Sequence, residues 1–228
     1  MKQLFISLTV LGFATVGGGM FAAAPAAAQV NGIATSTPEA VFVRANARQN
    51  AYTAIQQQYA AQIQQIGTLR QELNTLQRSL DTNNDGQLTD QEVQANPNVV
   101  TQIQQKEQQI AQVSQPIVIA QHYVLEQLLQ NYEAAQTQVV RDRSIQIMLT
   151  PDAIQYAPDQ VNVTDAILTA LNTRVPTVQT TPPANWQPRR ETVALHQAVQ
   201  QILLGVAQQQ AIAAQQQAAQ PAQQPTGR

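Results

Sequence analysis

The sequence predicts a mostly α-helical fold with a small β part: a long antiparallel coiled-coil hairpin carried on a small body. Three observations predict it. Apolar residues recur at helical spacing along two stretches of roughly 40 residues each. One polar twelve-residue loop, Asp81 to Glu92, separates the two stretches. Beyond about residue 140 the apolar pattern changes to short strand-like runs and turn residues.

The elements follow in chain order. Residues 1–28 read as a secretory signal: Lys2 supplies the positive start, Leu4 to Val16 the apolar stretch, and Ala26-Ala27-Ala28 a small-residue cleavage site before Gln29. No later segment approaches the roughly 20 apolar residues of a spanning helix, so the mature chain is expected to be soluble. Residues 29–40 hold an opening strand around Val30 to Ala34, and then Thr37-Pro38 as an N-cap with proline at the first helical position.

Residues 41–140 form the arm. Its outgoing helix carries Tyr52, Ile55, Tyr59, Ile63, Ile66, Leu69, Leu73, Leu76 and Leu80. From Ile66 onward the spacing alternates strictly between three and four, the seam of a coiled coil. A helix of that length spans ~60 Å, too long for the core of a small globule. The return helix presents Val99, Ile103, Ile110, Val113, Ile117, Val124, Leu128 and Tyr132. Lys106 occupies one seam position, and Pro116 removes a ladder hydrogen bond, so a kink is expected near Ser114. Arms of similar length joined by one loop make an antiparallel hairpin. Such a thin pair leaves part of its apolar seam uncovered, either for oligomerisation or for clients.

Residues 141–174 supply the rest of the body. Ile145 to Leu149 reads as a strand, Thr150-Pro151-Asp152 as a turn, and Ala153 to Tyr156 as a second strand. Val161 to Asn172 reads as a short helix with Thr164 as N-cap and Asn172 as its stop. Two or three strands from one chain rarely form a stable sheet alone, which points to a sheet shared between subunits. Residues 175–190 read as a Pro-rich linker around the lone Trp186, able also to cover the body or bind a partner. Residues 191–228 form a Gln/Ala-rich helix to about Gln209, with Leu195, Val199, Ile202, Leu203 and Val206 on one face, and a tail expected to be disordered. That helix has two open readings, docking on the rest of the protein or touching a membrane surface, and its lack of the basic polar face of an anionic-lipid binder lowers the second.

Composition narrows the function. Aromatic residues make up 4% and charged residues 11%, while 43 of the 228 residues are Gln, so polar helical surface outweighs compact core. The formal charge is −2, and −3 once the signal and its Lys2 are removed. That balance gives no electrostatic footprint for nucleic acid. With no Cys, disulfides and thiolate metal sites are excluded.

The loop carries the one motif with defined chemistry. Calcium takes six to eight oxygen ligands, and the loop offers them at EF-hand positions. Asp81, Asn83 and Asp85 supply side-chain oxygens, Gln87 its carbonyl, Thr89 its hydroxyl or a water, and Glu92 both carboxylate oxygens. Gly86 stands at the sharp turn. With three carboxylates and no second loop, weak calcium binding is expected, on the order of 10⁻⁴ to 10⁻³ M. The competing reading is a polar turn that stops one helix and starts the next. His122 and His196 lie far apart in sequence without metal-ligand spacing, and are expected to pack or to face solvent. Ser144 has no spaced base to activate it, and Asp142 and Arg143 are expected to form ion pairs. No residues compose a catalytic constellation, so the chain is read as a non-enzyme.

The order of these elements, together with Asp142-Arg143-Ser144 and the run Asn162 to Asn172, resembles the OmpH/Skp family of periplasmic chaperones. The resemblance covers about residues 30–172. It implies a homotrimer with a small β-barrel body shared between subunits and three helical tentacles around a cavity. It further implies a periplasmic location, unfolded outer-membrane proteins as partners, and holding without ATP. The chain departs from the family in being slightly acidic where relatives are basic, and in carrying the loop at 81–92. A calcium-stabilised coiled-coil scaffold of the cell envelope is the alternative function.

Overall fold

The computed structural model describes residues 32–83 and 85–219. The signal segment, the start of the opening strand and the tail after residue 219 lie outside the described residues. Among the described residues no helix is long and apolar enough to cross a membrane.

The chain is mostly helical around one small sheet. Strand β1 (Ile33–Thr35) pairs in parallel with β2 (Ile147–Leu149), Ile33 opposite Ile147 and Thr35 opposite Leu149. A parallel pair requires a crossover connection, and here the whole arm is that crossover. Thr35 also bridges Asn162. The expected second strand, 153–156, is absent. Pro151 has no N–H to give a ladder, Pro151–Ala153 closes as a 3₁₀ turn with Ala153 N–H donating to Thr150 O (3.1 Å), and Tyr156 is 85% exposed.

The outgoing helix is broken where a single run was expected. Helix α1 (Pro38–Arg44) ends at Ala45, whose φ of −58° and ψ of 125° are extended, and α2 (Asn46–Gln58) restarts at once. The N–H of Asn46, orphaned by the break, donates to Asn172 Oδ1 (3.0 Å). Asn172 therefore caps α2 and does not stop its own helix: α6 (Thr164–Arg174) runs two residues past it. Thr164 is likewise not the N-cap expected. Val163 holds that place, Asn162 Oδ1 accepts the Thr164 N–H (2.9 Å), and Thr164 Oγ1 accepts the N–H of Thr37 (3.0 Å). Thr37 and Pro38 do open α1 as expected.

Tyr59 divides α2 from α3 (Ala60–Leu80), although its N–H still donates to Ile55 O and its carbonyl still accepts from Ile63. Along α3 the seam residues Ile66, Leu69 and Leu80 are buried and Leu73 and Leu76 half-buried, whereas Ile63, placed on the seam by spacing, is exposed. Helix α4 (Asp90–Ala95) follows the loop, and α5 (Pro97–Asp142) returns over 46 residues, or ~70 Å. The two long helices pack as the predicted antiparallel hairpin. Lys106, at a seam position, places its Nζ 2.6 Å from Glu72 Oε2. Helix α5 runs uninterrupted through Pro116, so the expected kink does not break it.

Asp142, Arg143 and Ser144 end α5 and form none of the expected ion pairs among the described residues. Ser144 adopts a left-handed φ of 52°. Its N–H donates to Arg141 O (3.2 Å) and that of Ile145 to Val140 O (2.9 Å), which closes the helix end as a Schellman turn. The triplet is a helix stop that aims the chain into β2.

The core lies where α1, α2, α5, α6 and α7 (Arg190–Ala219) meet. Phe42, Ile55, Leu125, Leu128, Ile167, Leu171 and Val199 are fully buried there. Each contributes about 1.5–3 kcal/mol by leaving water. The last of these lies on the C-terminal helix, so α7 is part of the core and not an appendage.

Candidate functional site

Three features present chemistry: the loop at the tip, the arm surface, and a C-terminal segment strapped across α5.

In the loop, the side chains of Asp81, Asn83 and Asp85 each accept an N–H a few residues on. Asp85 N–H donates to Asn83 Oδ1 (2.8 Å) and Asp81 Oδ1 (3.1 Å), Gly86 N–H to Asp81 Oδ2 (2.9 Å), and Gln87 N–H to Asp85 Oδ1 (2.7 Å). Gly86 takes a φ of +77°, which a side chain would strain. Glu92 ties the two ends together. Its Oε1 accepts from Thr82 N–H (2.9 Å) and Thr82 Oγ1 (3.1 Å), and its Oε2 from Thr89 N–H (3.1 Å) and Thr89 Oγ1 (2.9 Å). Thr89 Oγ1 accepts the Glu92 N–H in return, completing a capping box at the start of α4. Hydrogen bonds from Thr89, then from Thr82, hold the Glu92 carboxyl down at about 2, although its own burial opposes them.

The donor types suit a hard cation, and Asp81, Asn83 and Asp85 turn their oxygens into the loop. Glu92, however, is engaged by Thr82 and Thr89, and among the described residues no three acidic or histidine side chains gather into one ligand set. Thr89 serves as the N-cap of α4 with its hydroxyl bonded to Glu92, and Gln87 and Leu88 are exposed beside it. The arrangement shown is a hydrogen-bonded turn built from residues of EF-hand type.

The arm surface is nearly uncharged. Between residues 60 and 115 of α3 and α5 the charges are Arg70, Glu72, Arg78, Lys106 and Glu107, and the outward positions are filled by glutamines such as Gln64, Gln71, Gln104 and Gln112. Beneath them Val99, Ile103, Ile110 and Val113 stay only half-buried.

The segment 175–189 is not a free linker. The Gln127 side chain forms a reciprocal pair with the Gln179 backbone, Nε2 to O at 2.9 Å and N–H to Oε1 at 3.0 Å. Trp186 meets Tyr123 edge-on at 5.1 Å. The buried Glu126 carboxylate accepts from Arg189 N–H (3.2 Å), Arg189 Nε (3.2 Å) and Thr192 Oγ1 (2.8 Å), and so caps the N-terminus of α7 from another helix. One turn on, His122 and His196 meet edge to face with ring centroids 4.5 Å apart, so two residues distant in sequence are neighbours in space. His196 Nε2 lies 3.2 Å from Gln121 Oε1 and 3.3 Å from Gln200 Nε2. Burial, then His122, then Arg48 push His196 down to about 4, and burial lowers His122. These pairings, between 52 and 75 residues apart, leave no periodic signal in the sequence; Gln121, His122 and Gln127 on α5 and the lone Trp186 are their only trace.

A family described as outer membrane protein (OmpH-like) matches residues 32–171 of the chain. Among solved structures, an OmpH-like outer membrane chaperone from Caulobacter crescentus is similar over 66% of this chain and 89% of its own, at 21% identity and a TM-score of 0.39. No curated protein matches the chain. The family match ends inside α6, so the strap and α7 lie beyond it. It spans more than half of the sequence and takes in β1, the arm, the helix stop at Ser144 and β2: the chain belongs to the OmpH-like family.

Proposed function

We propose that this protein is an ATP-independent holding chaperone of the periplasm that binds unfolded outer-membrane β-barrel proteins and prevents their aggregation. Membership of the OmpH-like family supports the chaperone role and the compartment. The observation that carries the reading further is the α3–α5 hairpin, long and thin, with an apolar seam left half covered and a neutral polar exterior. A surface of that kind engages unfolded chains through many weak contacts, none of them dominant. Holding requires no catalytic group.

The working assembly is a homotrimer whose small β-barrel body is shared between subunits. Two three-residue strands are too few to be stable by themselves, and Ile33, Ile147 and Tyr156 are exposed around them. Calcium is a further part of the proposal. Asp81, Asn83, Asp85, the Gln87 carbonyl, Thr89 and Glu92 would hold the ion, at the cost of the hydrogen bonds Glu92 now makes, and stiffen the tip.

The test dilutes a urea-unfolded outer-membrane β-barrel into buffer containing the mature protein, and follows light scattering with calcium and with chelator. Suppressed scattering is expected in both buffers, and stronger suppression with calcium. No suppression in either would discard the holding function and favour the envelope scaffold, a reading that a single saturable folded partner would support. Equal suppression in both buffers would remove calcium from the proposal and leave the chaperone intact.

A further inference from the structure

The docking of the C-terminal segment contains an uncompensated charge. Arg48 of α2 is buried at 5% exposure and, among the described residues, has no carboxylate partner. Its Nη1 donates to Val43 O (2.8 Å), its Cζ lies 4.4 Å from the Tyr52 ring centre, and its Nε has no partner. The acidic group nearest in sequence to His122 on α5 is Glu126, whose oxygens are already engaged by Arg189 and Thr192. From α1, Arg44 is paired with Asp165 of α6 and Glu39 stands half-buried near Tyr132, ten residues along α5 from His122, and on α7 the remaining charges, Arg190 and Glu191, are exposed. Into this setting α5 and α7 each bring one imidazole, and the two rings touch.

We propose that the His122–His196 contact is an acid-sensitive latch: with both rings neutral it holds the strap and α7 against α5, and protonation of the pair releases them. A proton on either ring would set a cation against its neighbour and near the buried Arg48, and among the described residues no carboxylate pairs with either ring to answer it. The sign follows from the lowered proton affinity of both rings in the docked state. Docking is complete above the ordinary histidine value of 6.5. It weakens as pH falls, about tenfold per pH unit from His196, whose contribution levels off near 4 where the docked ring itself takes a proton, and His122 adds to the loss in the same direction. Release uncovers Leu195 and Val199 of α7 and the α5 face that covers them. On the chaperone reading, that adds apolar surface under the conditions that unfold clients; the latch itself does not depend on that reading.

The lone Trp186 rides on the strap against Tyr123, so its emission reports docking directly. The experiment titrates the mature protein from pH 8 to pH 4 while recording Trp186 fluorescence and far-ultraviolet circular dichroism. The expected result is a red shift with its midpoint between 6.5 and 4, little loss of helical signal, and no shift in the variant His122→Gln/His196→Gln. Flat emission to pH 4, an unchanged shift in that variant, or a shift that coincides with loss of helix overturns the latch. Should the variant already be undocked at pH 8, the wild-type protein decides alone. Its two histidines are the only ones in the chain, and their ring protons, followed by NMR, are expected to titrate below 6.5; titration at the ordinary value overturns the proposal.

Discussion

At the scale of single residues, Glu92 does the most for the tip. Its two carboxylate oxygens join Thr82, at the end of α3, to Thr89, at the start of α4, so one side chain sets the angle of the bend. The pH dependence follows from the depressed carboxyl. With a folded value of about 2 against an ordinary 4.5, the tie is at full strength above 4.5 and fades as pH falls towards 2. In Glu92→Ala, the amides of Thr82 and Thr89 are expected to exchange hydrogen faster than in the wild type. Their protection should also lose its acid dependence, measured by NMR exchange between pH 6 and pH 3. Unchanged protection would mean that the backbone alone holds the turn. Thr89→Ala, which removes the cap and one of the hydrogen bonds to the Glu92 carboxylate, should cost α4 about 1 kcal/mol. The loop was legible because a turn and a cation site use the same short oxygen-bearing residues; which of the two the residues form depends on where the Glu92 carboxylate points, and no spacing records that.

Among the elements, the hairpin shows what a repeating pattern can reveal. Ile66, Leu69 and Leu80 sit on the buried seam because a three-four alternation allows one continuous contact line, and Lys106 interrupts it where its period says it should. Its pair with Glu72 is about a third to a half exposed, and pairs of that kind contribute roughly 0–1 kcal/mol. Lys106→Leu is therefore expected to stabilise the arm by about 1 kcal/mol through added apolar burial, read as a rise in the melting temperature of the mature protein. A fall would show that the pair sets the register of α3 against α5. Elements without a period were read less well. The break at Ala45 is held by Asn172, 126 residues beyond the Asn46 it caps, and the strap is held by the side chains of Glu126 and Gln127, two polar residues far from it in sequence. The misplaced strand at 153–156 has a different cause: its apolar residues alternate as a strand should, but among the described residues it pairs with no other strand.

For the molecule as a whole, the informative quantity is how little charge α3 and the facing half of α5 carry outside the acidic tip loop. Five ionised side chains are spread along the described length of α3 and α5 between residues 60 and 115, and the mature chain has a formal charge of −3. A holder that attracts clients by charge must weaken as salt shortens the reach of its field, from ~30 Å at 0.01 M to ~3 Å at 1 M. A glutamine exterior over a half-covered apolar seam has no such dependence, because amide hydrogen bonds are local and apolar contact is not weakened by salt. The amount of protein needed to halve the aggregation of an unfolded β-barrel should therefore change less than about twofold across that range. It should also be similar for clients of either net charge. Light scattering over a salt series, with one acidic and one basic client, measures both. A loss of holding of tenfold or more at high salt, confined to one client, would show that the few charges on the arm select the client and that the glutamine surface is only a solvated exterior.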